Sequence, residues 1–256
     1  MKNTIGVAAA GAALACVVAG SAVATPVSLT YNGAAYNGYR NVTIQEAPVT
    51  PAPGNVPANV GAGGFDMTDT SGPLGDFIAW CLDIAHWLGT GNSSYAYEIT
   101  TTPFTNSYGL LKAEQDRVQG YFDANYQDFL NNANQSTSAG FQLGLWEVLY
   151  DDDYSLTLND TLVDTEFRAT TGNTATRNAA NGFLANAETA GVGGPKVWNL
   201  TFLESKSTNP SRQNLVMATE DPIGVTPPSV PLPGAGLLLL GGLAAFGAMK
   251  RARRTA

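Results

Sequence analysis

The order of its hydrophobic patterns predicts an α+β fold for this chain, with strands at both ends of one domain and a central group of helices. Apolar and polar residues alternate in several segments before residue 100, which is typical of half-buried strands. Between residues 108 and 190 the apolar spacing becomes helical. Strand patterns then return from residue 196.

The individual elements follow from the same periodicities. Strands are predicted over residues 27–31, 39–44, 76–83, 94–100, 196–203 and 214–218. Residues 49–64 hold three prolines and four glycines, so this stretch is predicted to be a loop. Helices are predicted over residues 108–130, 139–150 and 174–190, and the candidate N-caps of the second helix are Ser136, Thr137 and Ser138.

Composition bounds the function. The 256 residues, 44% of them hydrophobic, suffice for one domain with a substantial core. A net charge of -8 argues against a nucleic-acid partner, because no excess of basic residues is available to neutralise phosphates. Two cysteines and one histidine exclude a disulfide scaffold and a histidine-rich metal site. We therefore expect no metal and no cofactor.

Residues 1–24 have the pattern of a secretory signal peptide. Lys2 precedes an apolar stretch from Ile5 to Val18, and Ala22-Val23-Ala24 forms a small-x-small cleavage site. Export machinery and a signal peptidase are therefore expected partners, with Thr25 as the mature start. Cys16 is removed with the signal, which leaves Cys81 as the single thiol of the mature chain.

The C-terminus has three parts that follow the domain at 25–222. A Pro-rich linker spans residues 223–233, an uncharged apolar segment spans 234–249, and residues 250–256 are basic through Lys250, Arg251, Arg253 and Arg254. The apolar segment is predicted to be a transmembrane sorting helix, slightly short for the ~30 Å hydrocarbon core. The basic tail is predicted to stay in the cytoplasm, with the rest of the protein outside.

This tail resembles the PEP-CTERM sorting signals of Gram-negative bacteria, in the variant built on Val-Pro-Leu-Pro-Ala. The motif here is Val230-Pro231-Leu232-Pro233-Gly234, with glycine in place of the usual alanine. The resemblance implies an exosortase-type membrane protease as partner, which cuts near the proline motif. It also implies an exported protein that is held transiently in the inner membrane and then reaches the cell surface or the extracellular matrix.

Two short motifs in the domain carry potential chemistry. The first is Ala79-Trp80-Cys81-Leu82-Asp83, and the second is Phe141-Gln142-Leu143-Gly144-Leu145-Trp146-Glu147. On a helix, Gln142 and Trp146 are four residues apart and share a face. A polar amide at the edge of an otherwise apolar stripe requires a reason.

The pair of motifs resembles the thioester domains of bacterial surface adhesins. In that family a cysteine and a glutamine side chain join as an internal thioester. The resemblance implies that Cys81 is the thiol and Gln142 the acyl donor, with Trp80, Asp83 and Trp146 as flanking motif residues. Phe141 departs from the family, which usually has a small polar residue there. The implied function is adhesion through capture of surface amines, or contact with exopolysaccharide, without enzymatic turnover.

Other interpretations of the same residues stay open. A lone cysteine in an apolar strand is often a buried and inert side chain, which predicts a passive structural or polysaccharide-binding protein. A secreted hydrolase requires a carboxylate pair from Glu98, Glu147 and Asp83. The run Asp151–Asp153, with Asp160 nearby, is expected to be a solvated acidic turn rather than a calcium loop, because an EF-hand glycine and glutamate are missing. His86 is expected to be a packed or solvated side chain.

Overall fold

The computed structural model describes residues 25–52, 54–91, 93–100, 110–157, 167–208 and 210–220. The predicted signal peptide, proline motif, apolar C-terminal segment and basic tail lie outside these residues, and so does Asp160. Among the helices that are described, none combines the length and apolar character needed to span a membrane.

The described chain contains nine strands and three helices. In chain order they are β1 (Thr25–Ala34), β2 (Arg40–Glu46), β3 (Ala58–Ala62), β4 (Phe65–Asp69), β5 (Asp76–Cys81), β6 (Ser94–Thr100), α1 (Lys112–Asn131), α2 (Gln135–Tyr150), β7 (Arg168–Thr170), α3 (Thr174–Ala190), β8 (Trp198–Ser205) and β9 (Leu215–Glu220). The α+β prediction, with strands on both sides of a central group of helices, is therefore confirmed for the described residues. The membrane-spanning helix of that prediction stays untested.

Six of the strands close into a barrel in the order β1-β4-β5-β9-β8-β6. Alternate side chains such as Val27, Leu29 and Met67 point into it and are almost fully buried. Closure gives each of these strands a neighbour on both sides, although β5 extends past its pairing with β4 at Trp80 and Cys81. β5 and β9 thereby become neighbours although they are far apart in sequence.

A second, three-stranded sheet has the order β3-β2-β7 and packs on the helices. Its strands pair antiparallel, with Ile44 of β2 opposite both Ala58 and Ala169. All three of these side chains are buried. β3 lies inside the stretch that we predicted to be a loop, so that prediction is wrong, because pairing with β2 stabilises a segment of low intrinsic strand propensity.

Helix α2 is the central element of the domain. Its residues from Ser138 to Tyr150 are buried, and α1 and α3 pack against it. Close approach depends on two glycines: a Cβ at Gly144 would lie 2.4 Å from the Tyr121 hydroxyl, and one at Gly140 would lie 2.9 Å from the backbone nitrogen of Ala180. Side chains at these two positions would push the helices apart.

The N-terminus of α2 differs from the prediction. The helix begins at Gln135 rather than Ala139, and Asn134 is the N-cap. The Asn134 side chain accepts hydrogen bonds from the backbone N–H groups of Ser136 and Thr137, while the Thr137 hydroxyl accepts one from the Asn134 backbone. Thr137 therefore serves in a capping box rather than as the cap itself. Ser138 is instead buried and accepts a hydrogen bond from the backbone of Gly64 at 2.9 Å.

Candidate functional site

The candidate site is built where β5 ends against helix α2. Cys81 is the last residue of β5, and its register partner in β9 is Leu215. The next backbone N–H, that of Leu82, donates to the carbonyl of Asn214 at 2.9 Å. β9 therefore fixes one side of the Cys81 backbone, which leaves the other side for α2.

Gln142 of α2 occupies that other side. The Cys81 backbone N–H donates to Gln142 Oε1 at 2.9 Å, and Gln142 Nε2 donates to the Cys81 carbonyl at 2.9 Å. Both residues are fully buried. The side-chain amide thus replaces a neighbouring strand for this one residue, and it satisfies two backbone groups that burial would otherwise leave without partners. The structure brings together the two residues that the sequence motifs predicted as a pair.

Two turns after Gln142 along α2, Tyr150 also binds the chain that follows β5. The Tyr150 hydroxyl accepts a hydrogen bond from the Ile84 N–H at 3.2 Å and donates one to the Leu82 carbonyl at 3.3 Å. Gln142, Trp146 and Tyr150 follow one another at intervals of four residues and form one stripe along α2. The sequence interpretation missed Tyr150, although its spacing from Gln142 is a usable signal.

The Cys81 thiol has an environment that keeps it protonated. Its Sγ donates to the Asp83 carbonyl at 3.2 Å and accepts a hydrogen bond from the Asp83 N–H at 3.3 Å. Burial, together with the negative charge of Asp83, raises the pKa of Cys81 to about 12. The Asp83 N–H and the indole of Trp146 oppose this rise. The thiol is therefore neutral at physiological pH.

The motif residues around the pair have separate roles. Trp80 lies in the aromatic core, where its ring centroid is 4.6 Å from that of Phe141. Phe141, the departure from the adhesin motif, therefore fills core space beside Trp80. Trp146 is buried, and its indole nitrogen has no hydrogen-bond partner of normal geometry among the described residues. Its N–H dipole nevertheless favours the thiolate form of Cys81.

Asp83 organises the turn that follows β5. It is nearly fully buried, its Oδ1 accepts a hydrogen bond from the Ala85 N–H at 2.9 Å, and its Oδ2 lies 2.8 Å from Nδ1 of His86. The histidine side chain is 26% exposed. His86 is therefore oriented by a buried carboxylate, which the sequence interpretation did not predict.

A surface cavity of about 340 Å³ adjoins this turn. Trp146 and His86 both line it, together with aromatic side chains that include the exposed Trp87. Since the Trp146 indole also acts on the Cys81 thiol, a single side chain borders both the buried thiol and the cavity.

The carboxylates considered for hydrolysis are held by different partners. Glu98 pairs with Lys206, and Asp83 binds His86. Glu147 is fully buried and lies instead with Asp151 and Asp153, where one carboxylate oxygen from each falls within 4.8 Å of the others. These three side chains are the group among the described residues that has the donor atoms to hold a metal ion. The run Asp151–Asp153 is thus joined to a buried acid, which the expectation of a simple solvated turn did not include.

Comparison with known proteins gives structural likenesses only. No family model and no curated protein matches the chain. Similar solved structures include the N-terminal thioester domain of a Clostridium perfringens surface protein, with 10% identity, a TM-score of 0.39 and coverage of 77% of this chain and 100% of the other. The N-terminal domain of the Streptococcus pyogenes pilus tip adhesin Cpa follows, with 12% identity, a TM-score of 0.38 and coverage of 75% and 98%.

The thioester domain of the fibronectin-binding protein SfbI from Streptococcus pyogenes is a third such structure, with 14% identity, a TM-score of 0.37 and coverage of 72% of this chain and 95% of the other. These structures are thioester domains and adhesins of bacterial surface proteins by their descriptions. TM-scores below 0.5 do not define a shared fold family. The function proposed below therefore rests on the contacts of Cys81 and Gln142.

Proposed function

We propose that this chain is an exported, adhesin-like surface protein in which Cys81 and Gln142 form an internal thioester. The observation that carries the proposal is the two-point hydrogen bonding between the Gln142 amide and the backbone of Cys81, both at 2.9 Å. The buried amide is held in this way by the backbone of Cys81, which carries the one thiol of the described chain. Cys81 and Gln142 are also the two residues through which the sequence motifs resemble the thioester motifs of surface adhesins.

The formation step follows from these contacts. The Cys81 N–H donates to Gln142 Oε1 and polarises the carbonyl carbon, as an oxyanion-hole donor does. Sγ attacks that carbon, the new S–C bond replaces the C–Nε2 bond, and the thiol proton leaves with the nitrogen as ammonia. The hydrogen bond to Oε1 is retained in the thioester product. Because the high thiol pKa leaves little thiolate, the positioning of the Gln142 amide on the Cys81 backbone has to supply the rate.

Capture of a partner uses the same carbonyl carbon, with Cys81 now as the leaving group. A primary amine attacks the thioester carbon, an N–C bond forms, the C–S bond breaks, and the amine proton passes to the Cys81 sulfur. The cavity lined by Trp146 and His86 is the approach that we assign to the amine. His86, oriented by Asp83 at 2.8 Å, is the group suited to accept that proton from the attacking amine before it reaches the sulfur. The step consumes the thioester without turnover, so the protein is not proposed to be an enzyme.

Intact mass decides the proposal. The mature protein is expected to weigh one ammonia less than its sequence, and incubation with methylamine adds the mass of one methylamine. Cys81→Ala and Gln142→Ala are expected to have their full calculated masses and to form no adduct. Gln127→Ala, an exposed glutamine of α1, is the matched control and retains both properties. A native protein with its full calculated mass and an alkylatable Cys81 would falsify the thioester.

A second candidate function is a passive structural or polysaccharide-binding surface protein with an inert Cys81. The observation that favours it is the complete burial of the thiol, which raises its pKa to about 12. This candidate requires the full calculated mass, no methylamine adduct, and labelling of Cys81 only after denaturation. The intact-mass experiment therefore separates the two candidates in one measurement.

Trafficking is the remaining part of the proposal. We propose removal of residues 1–24 by signal peptidase, transient insertion through residues 234–249, and cleavage near Val230–Gly234 by an exosortase-type protease. The terminal masses of the secreted protein test both cleavages. Replacement of Pro231 and Pro233 by alanine is expected to leave the uncleaved chain in the membrane fraction. Release of that variant with normal termini contradicts recognition of the proline motif.

A further inference from the structure

The acidic group at the C-terminal end of α2 is distinct from the Cys81–Gln142 pair. It consists of Glu147, Asp151 and Asp153, which each bring a carboxylate oxygen within 4.8 Å of the others. Glu147 and Asp151 are one helical turn apart, and the turn after the helix brings Asp153 to the same place. Three carboxylates at this separation repel one another unless a proton or a cation lies between them.

Glu147 provides the second observation, because part of its carboxylate is orphaned. The residue is 0% exposed, and its Oε1 accepts a hydrogen bond from the Ser155 N–H at 3.1 Å. Its Oε2 is buried and has no hydrogen-bond partner among the described residues. A buried carboxyl oxygen directed into a group of carboxylates is the arrangement that a bound cation satisfies.

The three carboxylates lie at the C-terminal end of α2, where little positive charge is available to balance them. The helix C-terminus carries the negative end of the α2 dipole, and the last turn of α2 contains no basic residue. Arg117 of α1 approaches this end, but its guanidinium donates to the carbonyls of Val148 and Leu149. Its ion-pair partner is Glu114 at 4.0 Å.

We propose that Glu147, Asp151 and Asp153 bind one calcium ion. Backbone N–H groups occupy some lone pairs: Asp151 accepts from Asp152, Asp153 and Phe167, and Asp153 accepts from Ser155. A carboxylate has about four acceptor positions, so the bonds to Asp151 leave that side chain capacity for a metal. Calcium suits an irregular set of oxygen ligands completed by water, whereas magnesium requires a near-ideal octahedron.

The ion is expected to stabilise the wall of the cavity as well as the helix end. Asp151 Oδ2 holds the backbone N–H of Phe167 at 3.2 Å, and the Phe167 ring stacks on Tyr150 at 5.9 Å and lies 6.4 Å from Trp146. Fixing Asp151 therefore fixes the start of β7 against the stripe of α2. Binding of calcium at this position does not depend on thioester formation.

Thermal unfolding of the full chain with CaCl2 tests the site. After EDTA treatment and dialysis, about 10 mM Ca²⁺ is expected to raise Tm by roughly 3–10 °C, as for an extracellular site with Kd near 10⁻⁴–10⁻³ M. Glu147→Gln and Asp153→Asn keep the side-chain shapes and are expected to lose the shift. Asp152→Asn changes the exposed acid between two ligands and is the matched control that keeps it.

Three results are informative. A shift that is confined to calcium, that MgCl2 or NaCl of equal ionic strength does not reproduce, and that titrates to one ion per chain supports the site. An equal shift in all variants overturns it, because that result indicates screening of the general negative charge. No shift in the unsubstituted protein also overturns it, since a proton shared by Glu147 and Asp153 then accounts for the group. The same shift in Cys81→Ala separates this test from that of the thioester.

Discussion

The strongest consequence of the Gln142 contacts concerns stability, and it is measured in a protein that cannot form a thioester. In a Cys81→Ala background the glutamine remains an amide, so the two hydrogen bonds to the backbone of residue 81 persist. Gln142→Met then keeps the volume and removes both polar atoms. The buried N–H and carbonyl of residue 81 each lose a partner at a cost of about 1–3 kcal/mol. The free energy of unfolding should therefore fall by about 2–6 kcal/mol.

Urea unfolding followed by circular dichroism measures this difference. The comparison is between Cys81→Ala and the double variant with Gln142→Met, and the m-value is expected to be unchanged. Gln127→Met in the same background serves as control, because that exposed side chain bonds only Asn131 among the described residues and should change stability by less than about 0.5 kcal/mol. If the double variant unfolds at the same urea concentration as its parent, the amide does not hold β5 against α2.

Three further outcomes are expected. In the single Gln142→Met variant, iodoacetamide should alkylate Cys81 at pH 8 about 10³-fold more slowly in the native protein than in the unfolded protein, since burial raises the pKa of the Cys81 thiol from 9.0 to about 12. Equal alkylation rates in the two states would contradict the burial of the thiol. Gly144→Ala should lower the free energy of unfolding in urea by about 1–3 kcal/mol, because the new Cβ would lie 2.4 Å from the Tyr121 hydroxyl of α1. Gly182→Ala, in open space on α3, should raise it by about 0.5–1 kcal/mol. Effects of the same sign in the two variants would refute the close packing at Gly144. His86→Ala should keep the missing ammonia mass but slow methylamine capture at least roughly tenfold, and an unchanged rate excludes His86 as proton acceptor.

The helices were predictable because their pattern is long and periodic. The third helix, predicted over 174–190, has the observed bounds of α3, and Asn173 caps it through a hydrogen bond to the Thr176 N–H at 2.9 Å. Strands β3, β4 and β7 were not predicted, because short strands depend on pairing partners that lie elsewhere in the sequence. β4 ends at the buried Asp69, whose carboxylate accepts hydrogen bonds from the backbone of Ser71 and Leu74. Periodicity gives no signal for that kind of compensation.

The candidate site was predictable only as a pair of residues. The motifs identified Cys81 and Gln142, but the amide's hydrogen bonds to both backbone groups of the cysteine depend on how β5 meets α2. The acidic group was also predictable only in part. Asp151 and Asp153 stand out in the sequence as an acidic run, whereas the buried Glu147 joins them because it lies one turn earlier on α2. The cavity beside Trp146 likewise arises from segments that are distant in the chain.

The pairing of β9 with β5 also has a mechanical consequence. β9 ends at Glu220, from which the remaining chain continues, and its rungs on β5 are Val216 with Trp80 and Leu215 with Cys81. A tensile force applied beyond residue 220 is therefore transmitted along β9 to the very rung that contains Cys81. A tether at that end would load the rung that contains Cys81, so the proposed thioester would lie on the path of the force.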